Sequence, residues 1–241
     1  MLPFLSIIIP AYNEETRLPR ALEQVFAFLE HQPFTAEVLV VENGSRDHTL
    51  EVARGLTQSF PGLRLLHEDL PGKGRAVRRG MLEARGEYRF FADADFSMPV
   101  EQISRFLPPA CSCDIAIASR ETAGAVRYAE PGFRHLTGRV YNFWIRSLVL
   151  PGLQDTQCGF KCFRAAVAED IFPWQTLTGW SFDVELLAIA RHRGYKIFEI
   201  GIPWQYNAGS KINVLQHSWR MFIDLLMIRR NLRQGVYDLR A

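Results

Sequence analysis

The sequence predicts an α/β protein with a mostly parallel central sheet and helices on both faces, in a single domain. The first sign is a set of short apolar runs, at residues 5–10, 37–41, 63–66 and 88–92, without the alternation of a half-solvated strand. Strands buried on both faces read this way. Helix-period segments separate the runs, as strand–helix alternation in a parallel sheet requires. The third sign is where polar residues fall. Tyr12, Glu42, Asn43, Asp93 and Asp95 each follow the end of an apolar run. Right-handed crossovers bring such ends to one edge, and open sheets bind ligands there.

The elements follow in order. Residues 5–10 (Leu-Ser-Ile-Ile-Ile-Pro) make the first strand. Pro19 suits a first helical turn, and Leu18, Leu22, Val25, Phe26 and Leu29 share one face of that helix. A second strand ends at Glu42-Asn43-Gly44-Ser45, and Asp47 is the expected cap of the next helix, which Leu50, Val52, Ala53 and Leu56 support. After residues 63–66, Pro71-Gly72-Lys73-Gly74 breaks the chain before a basic helix at 75–84. Residues 115–118 read as a strand ending at Ser119-Arg120, and 121–132 as a flexible loop with two glycines and no apolar period. Helices are expected at 133–150, 181–193 and 214–233, strands at 196–200 and 202–206, and a turn at 207–211.

The chain has 241 residues, 48% hydrophobic and 22% charged, which is ordinary globular chemistry. A net charge of +2 gives no reason to expect a nucleic-acid partner. Cys111, Cys113, Cys158 and Cys162 lack zinc-ribbon spacing, and no His pair completes a set, so reduced thiols and a cytoplasmic protein are expected. Residues 2–10 are apolar but lack a basic lead-in and a cleavage site. No apolar run approaches the ~20 residues of a spanning helix.

Asp93 and Asp95 close an apolar strand, and two unpaired acids there would be costly to bury. Hard carboxylate oxygens at a strand end suit Mg²⁺ or Mn²⁺ bound against a diphosphate. The competing reading is a solvated surface turn. Tyr12 suits stacking on a base, and Glu14 and Glu42 suit accepting from base N–H or ribose hydroxyls. Glu14 is equally explicable as a helix N-terminal acid. Gly72-Lys73-Gly74 lacks Walker spacing, yet a helix start with a lysine suits an anion; a solvated turn is the alternative.

Three blocks occur in signature order: 10–15 (Pro-Ala-Tyr-Asn-Glu-Glu), 41–45 (Val-Glu-Asn-Gly-Ser) with Asp47 and Thr49, and Asp93-Ala94-Asp95. They resemble the family 2 glycosyltransferases. Later blocks are Gly72-Lys73-Gly74, Ser119-Arg120, 155–161 (Asp-Thr-Gln-Cys-Gly-Phe-Lys), 182–187 (Phe-Asp-Val-Glu-Leu-Leu) and Gly209-Ser210-Lys211. These resemble the branch that loads sugar onto dolichyl phosphate, the β-glucosyltransferases more than the mannose synthases. The resemblance implies a GT-A nucleotide-sugar-binding fold, with residues 1–120 as the nucleotide half, 121–212 as the acceptor half and 213–241 as a C-terminal amphipathic helix. It also implies a donor site of Pro10, Ala11, Tyr12, Glu14 and Glu42, and a Lys211 that closes over the diphosphate. An exposed hairpin lysine is the competing reading of Lys211. Glu42 departs from the family's usual Asp by one methylene.

The implied reaction is metal-dependent, inverting transfer of a sugar to a polyprenyl or dolichyl phosphate, with UDP-glucose the expected donor. Asp93 and Asp95 hold the metal, Arg120 meets acceptor or sugar, and Asp155 and Asp183 are candidate bases or sugar-hydroxyl acceptors. A lipid monophosphate is already an oxyanion near pH 7, so neither acid is expected to be indispensable as a base. Arg120, Arg127 and Arg134 are the candidate anchors for it. Gln157 suits a sugar hydroxyl, Cys158 suits packing, and Trp174 and Trp180 either wall the sugar pocket or pack in the core. Helices 133–150 and 214–233 carry aromatics among basic residues. In the second, Leu215, Trp219, Phe222 and Leu226 share a face, with Gln216, Arg220 and Asp224 opposite and Arg229, Arg230 and Arg233 at its end. Such helices lie on anionic membranes or pack on the sheet. The anchor of eukaryotic members is not visible, so peripheral attachment at the inner face of the cell membrane is expected. Two other classes compete. A sugar-1-phosphate nucleotidyltransferase would need a Gly-rich loop after the first strand, where 11–15 has none. A non-catalytic binding module would not need Asp93 and Asp95, and a transferase for a hydroxyl acceptor is the alternative within the enzyme class.

Overall fold

The computed structural model describes residues 2–129, 132–206 and 214–238, with side chains throughout except at 132–137 and 214–218. The first half alternates as expected: β1 (Leu5–Ala11), α1 (Leu18–Glu30), β2 (Ala36–Asn43), α2 (Thr49–Ser59), β3 (Leu63–Glu68), α3 (Lys73–Glu83) and β4 (Tyr88–Ala92). The second half contains β5 (Ile115–Ser119), β6 (Val126–Tyr128), α4 (Gly132–Leu148), β7 (Phe160–Arg164), α5 (Ala165–Ile171), α6 (Phe182–His192), β8 (Ile197–Gly201), β9 (Pro203–Gln205) and α7 (Val214–Arg233).

A seven-stranded sheet runs β3-β2-β1-β4-β7-β5-β8. β7 lies antiparallel to both β4 and β5, and the other neighbours pair in parallel. Alternate side chains of the buried strands feed two cores. Ile7, Ile9, Val38 and Val40 meet Leu18, Leu22 and Val25 of α1 on one face. Ile8, Leu39 and Val41 meet Ala76, Val77 and Met81 of α3 on the other. Burying each such side chain contributes roughly 1.5–3 kcal/mol, and a strand buried on both faces collects this from every residue. α3 lies close against β1 because Gly80 has no side chain: a Cβ there would come within 2.4 Å of Ile8.

Several expectations need correction. β7 carries no strand signal in the sequence, because Lys161 interrupts its apolar character and β-branched residues are missing. β6 sits inside the expected loop at 121–132, its three residues paired in parallel with β9. The residue in the cap position of α2, which starts at Thr49, is His48 and not Asp47, although the Asp47 carboxylate accepts from the Thr49 N–H at 3.0 Å. The thiols are not all reduced. Cys111 and Cys113 are joined, their Cα atoms 5.6 Å apart as disulfide geometry allows, while Cys158 and Cys162 are free and buried.

α4 and α7 pack on each other, with Trp144 edge-on to Phe222 and Trp219 stacked on Phe222. α7 is held by Leu225 and Ile228, both wholly buried, whereas Trp219 is 71% exposed and Leu226 45%. Among the described residues no helix is long and apolar enough to cross a membrane.

Candidate active site

The site forms where β1, β2 and β4 end. β4 is fully buried up to Ala92. The chain then turns, and the Asp93 N–H donates to the Gly159 carbonyl at 3.0 Å. Gly159 leaves room for the acid itself, since a Cβ there would lie 1.9 Å from Asp93 Oδ2. The Ser97 N–H donates to Asp95 Oδ1 at 3.2 Å, and Phe96 between them has φ +39°, a strained value of the kind that clusters at functional sites. Burial, then the Asp93 charge, pushes the Asp95 carboxyl above the usual carboxylate range.

Opposite stands the start of α3. Lys73 Nζ lies 2.5 Å from Asp93 Oδ1 and 5.5 Å from the centre of the Trp180 ring. Burial alone would lower its ammonium, but Asp93, Asp183 and Asp95 outweigh burial and hold it raised. The preceding Gly72 takes φ +152° and passes close to the Thr178 carbonyl.

These residues surround a cleft of about 540 Å³ lined by Pro10, Tyr12, Glu14, Asn43, Lys73, Asp93, Asp95 and Trp180, among others. Asn43 ties its base together: with its amide oriented to suit both neighbours, it donates to the Ala11 carbonyl at 2.8 Å and accepts from the Gly72 N–H at 3.0 Å. Glu14 forms a two-point pair with Arg17, at 2.6 and 2.8 Å. Ala11 and Glu42 are buried behind the cleft wall. Glu42 accepts from the Ser45 N–H and meets His67 Nδ1, each at 2.6 Å. Burial would raise its carboxyl, but these bonds outweigh burial and lower it.

The later acids serve as ion-pair partners. Asp155 is wholly buried and grips Arg120 at two points, 2.6 and 3.0 Å from its guanidinium, while accepting the Arg120 N–H. Burial would raise its carboxyl, and the guanidinium outweighs it and lowers it. Glu199 accepts from the backbone N–H groups of Gln154 and Asp155. Arg120 and Arg127 both lie over the Trp204 ring, at 5.3 and 5.9 Å. Asp183 meets Lys161 at 2.7 Å with both side chains buried, and Lys161 also donates to the Cys158 carbonyl at 2.6 Å. Gln157 donates to the Trp180 carbonyl at 3.4 Å. Cys158 is buried among these charges, and burial pushes its thiol up to about 12, so it packs. Trp174 stands away from the cleft, against the core under Arg193. Lys211 and the side chain of Arg134 lie outside the described residues. Lys161 and Gly159 stand beside the cleft acids, Lys161 paired with Asp183 and Gly159 against Asp93, and neither is among the candidates that the sequence offers. A lone lysine amid Cys-Gly-Phe and Cys-Phe was the available signal, because a lysine in a buried strand must find an acid.

The chemistry of the donor set fits a hard divalent cation. Asp93 already attracts a cation, and a metal would relieve the raised Asp95 carboxyl. Among the described residues no third metal-binding side chain completes a set, so donor phosphates would supply the remaining ligands, as is usual for Mg²⁺.

Topology and strand-end acids together define a GT-A-like glycosyltransferase fold. The crystal structure of glucosyl-3-phosphoglycerate synthase from Mycobacterium tuberculosis in complex with Mg²⁺ and UDP superposes with a TM-score of 0.68, covering 94% of this chain and 79% of that one at 17% identity. Residues 6–172 match the description Glycosyl transferase family 2. Dolichyl-phosphate β-glucosyltransferase from Drosophila melanogaster is 37% identical over 93% of this chain and 74% of its own length. The Homo sapiens enzyme of that name is 36% identical over 98% and 78%. The chain belongs to glycosyl transferase family 2 and is a glycosyltransferase.

Proposed function

We propose that this glycosyltransferase is metal-dependent and inverting, and moves glucose from UDP-glucose to a polyprenyl or dolichyl phosphate at a membrane surface. The observation that carries the reading is the Asp93–Asp95 pair facing Lys73 across the cleft. The relatives' names supply the acceptor class. The M. tuberculosis synthase has been crystallised with Mn²⁺ and UDP-glucose, which supports the donor.

Tyr12 stacks on the base at the cleft rim, Pro10 and Asn43 shape its floor, and Lys73 neutralises a diphosphate oxygen, the task a compact ammonium suits. Asp93 and Asp95 would hold Mg²⁺ or Mn²⁺, which would supply charge neutralisation for the departing nucleoside diphosphate. Asp155 fixes Arg120 rigidly, and Arg120 with Arg127, spaced by Trp204, meets the acceptor phosphate. Its oxygen attacks the anomeric carbon on the side opposite the leaving group and gives a β-linked product. Proximity supplies much of the barrier reduction. The exposed apolar residues of α4 and α7, with Arg139 and Arg220 beside them, rest on the membrane that presents the lipid.

The test is incubation with a panel of nucleotide sugars, Mg²⁺ and polyprenyl phosphate, followed by mass spectrometry of the lipid. A single hexose should appear with UDP-glucose and vanish in excess EDTA. Transfer to a hydroxyl acceptor with the lipid phosphate inert would sink the reading.

A further inference from the structure

The outer wall of the cleft is residues 175–180, a segment without helix or strand. It supplies Gly179 and Trp180 to the lining. It also touches α3 beside Lys73: the Gly74 N–H donates to the Thr178 carbonyl at 3.0 Å, and Gln175 Nε2 donates to the Gly74 carbonyl at 2.9 Å. An irregular segment has no ladder of its own to fix it, so something else must.

Glu185, in the first turn of α6 and wholly buried, does this. Its Oε2 accepts the N–H groups of Thr176 at 3.0 Å and Leu177 at 2.8 Å. Its Oε1 accepts the Thr176 hydroxyl and, at 2.8 Å, the hydroxyl of Tyr237. Tyr237 lies beyond α7, is wholly buried, and receives the side-chain amide of Asn231 at 3.0 Å. Burial, then the Glu185 charge, pushes the Tyr237 hydroxyl upward, so it stays a donor. Among the described residues no lysine or arginine pairs with Glu185. Burying a carboxylate on hydrogen bonds alone is costly, and only an acceptor-only group satisfies four donors at once.

We propose that Glu185 is a positioning residue for the donor: it clasps residues 175–180, and through them sets Trp180 and the Gly74 end of the Lys73 turn. The proposal rests on the nucleotide-donor reading above. Tyr237 and Asn231 tie the same clasp to α7.

The test uses the full chain, with UDP and Mg²⁺ as probe. E185Q puts an amide N–H₂ against hydrogen-bond donors and loses about half the clasp. Bonds to a charged group are strong enough that UDP binding by calorimetry, and KM for the donor, should weaken about tenfold. kcat at saturating donor should stay within about threefold, because Glu185 touches no reacting atom. Amide hydrogen exchange at Thr176 and Leu177 should accelerate. Y237F removes one donor of the four and should move each quantity the same way by about two- to threefold; it decides the matter if E185Q does not fold. Faster exchange with unchanged UDP affinity in both variants would make the clasp merely structural and overturn the proposal. Unchanged exchange would overturn it too, as would loss confined to kcat. A wild-type chain that fails to bind UDP would overturn the donor reading instead, and the exchange arm would still judge whether Glu185 holds the segment.

Discussion

Gly159 has no side chain, and Asp93 occupies the space that one would fill. Gly159→Ala should therefore turn the carboxylate away from the cleft while leaving the strands intact. Misplacement by about 1 Å costs about 100-fold in rate, so turnover should fall by that order with little change in melting temperature. Its neighbour gives the opposite signature in stability. Asp95 has its folded pKa raised, by burial and then by Asp93. Its ionised form is disfavoured in the fold, so the charge subtracts stability above the unfolded pKa, and the penalty is relieved as pH falls through the folded value. At pH 8, without metal, Asp95→Asn should raise the melting temperature while lowering activity on the order of 100-fold or more, since even supporting residues of metal sites are worth 10–100-fold. Scanning calorimetry without metal checks the first half, and a turnover assay with Mn²⁺ checks the second. A lowered melting temperature would contradict the raised pKa, and full activity would contradict the metal role.

At the scale of elements, what was legible was what periodicity encodes. β1, β2 and β4 announce themselves as apolar runs, and the polar residues after them named most of the cleft in advance. What was illegible depends on partners far along the chain. β7 carries Lys161 because Asp183, 22 positions on, neutralises it, so the strand did not look like one. Asp155 read as a candidate base because nothing local reveals that Arg120, 35 positions earlier, takes both its oxygens. Periodicity puts Trp219 and Leu226 on the apolar face of α7, yet burial falls on Leu225 and Ile228, leaving the aromatic edge outward beside Phe143 and Trp144 of α4. If that edge rests on lipid, Phe143→Ser with Trp219→Ser should cut binding to anionic vesicles at least tenfold, because each buried aromatic is worth roughly 1.5–3 kcal/mol. The melting temperature should hold, since both side chains are more than half exposed. Salt should weaken wild-type binding, as charge attraction is screened within ~10 Å at 0.1 M. Equal vesicle binding by wild type and double variant would remove the membrane role of this edge.

Across the whole molecule, the acids near the cleft other than Asp95 are already paired with cations. Asp93 faces Lys73, Glu14 faces Arg17, Asp155 grips Arg120, and Asp183 is sealed against Lys161. A general base must be free to take a proton within hydrogen-bond reach of the nucleophile, and a carboxylate locked to a buried cation is poorly placed for that. A phosphate acceptor removes the need, because its second ionisation, near pH 6 by analogy with phosphorylated side chains, already exposes an oxyanion. The rate with saturating UDP-glucose should then rise through about pH 6 and level off, tracking the acceptor and not the protein. Asp183→Asn alone is a poor test, since stranding the Lys161 charge costs about 3–5 kcal/mol. Lys161→Met with Asp183→Asn removes both charges, and this double variant should retain turnover within about tenfold of wild type with the same pH midpoint. Asp155→Asn should instead loosen Arg120 and raise KM for the lipid phosphate while sparing the profile. If the double variant folds and binds UDP yet is as inactive as Asp95→Asn, a base is required, and the acceptor must be a hydroxyl whose proton Asp183 removes.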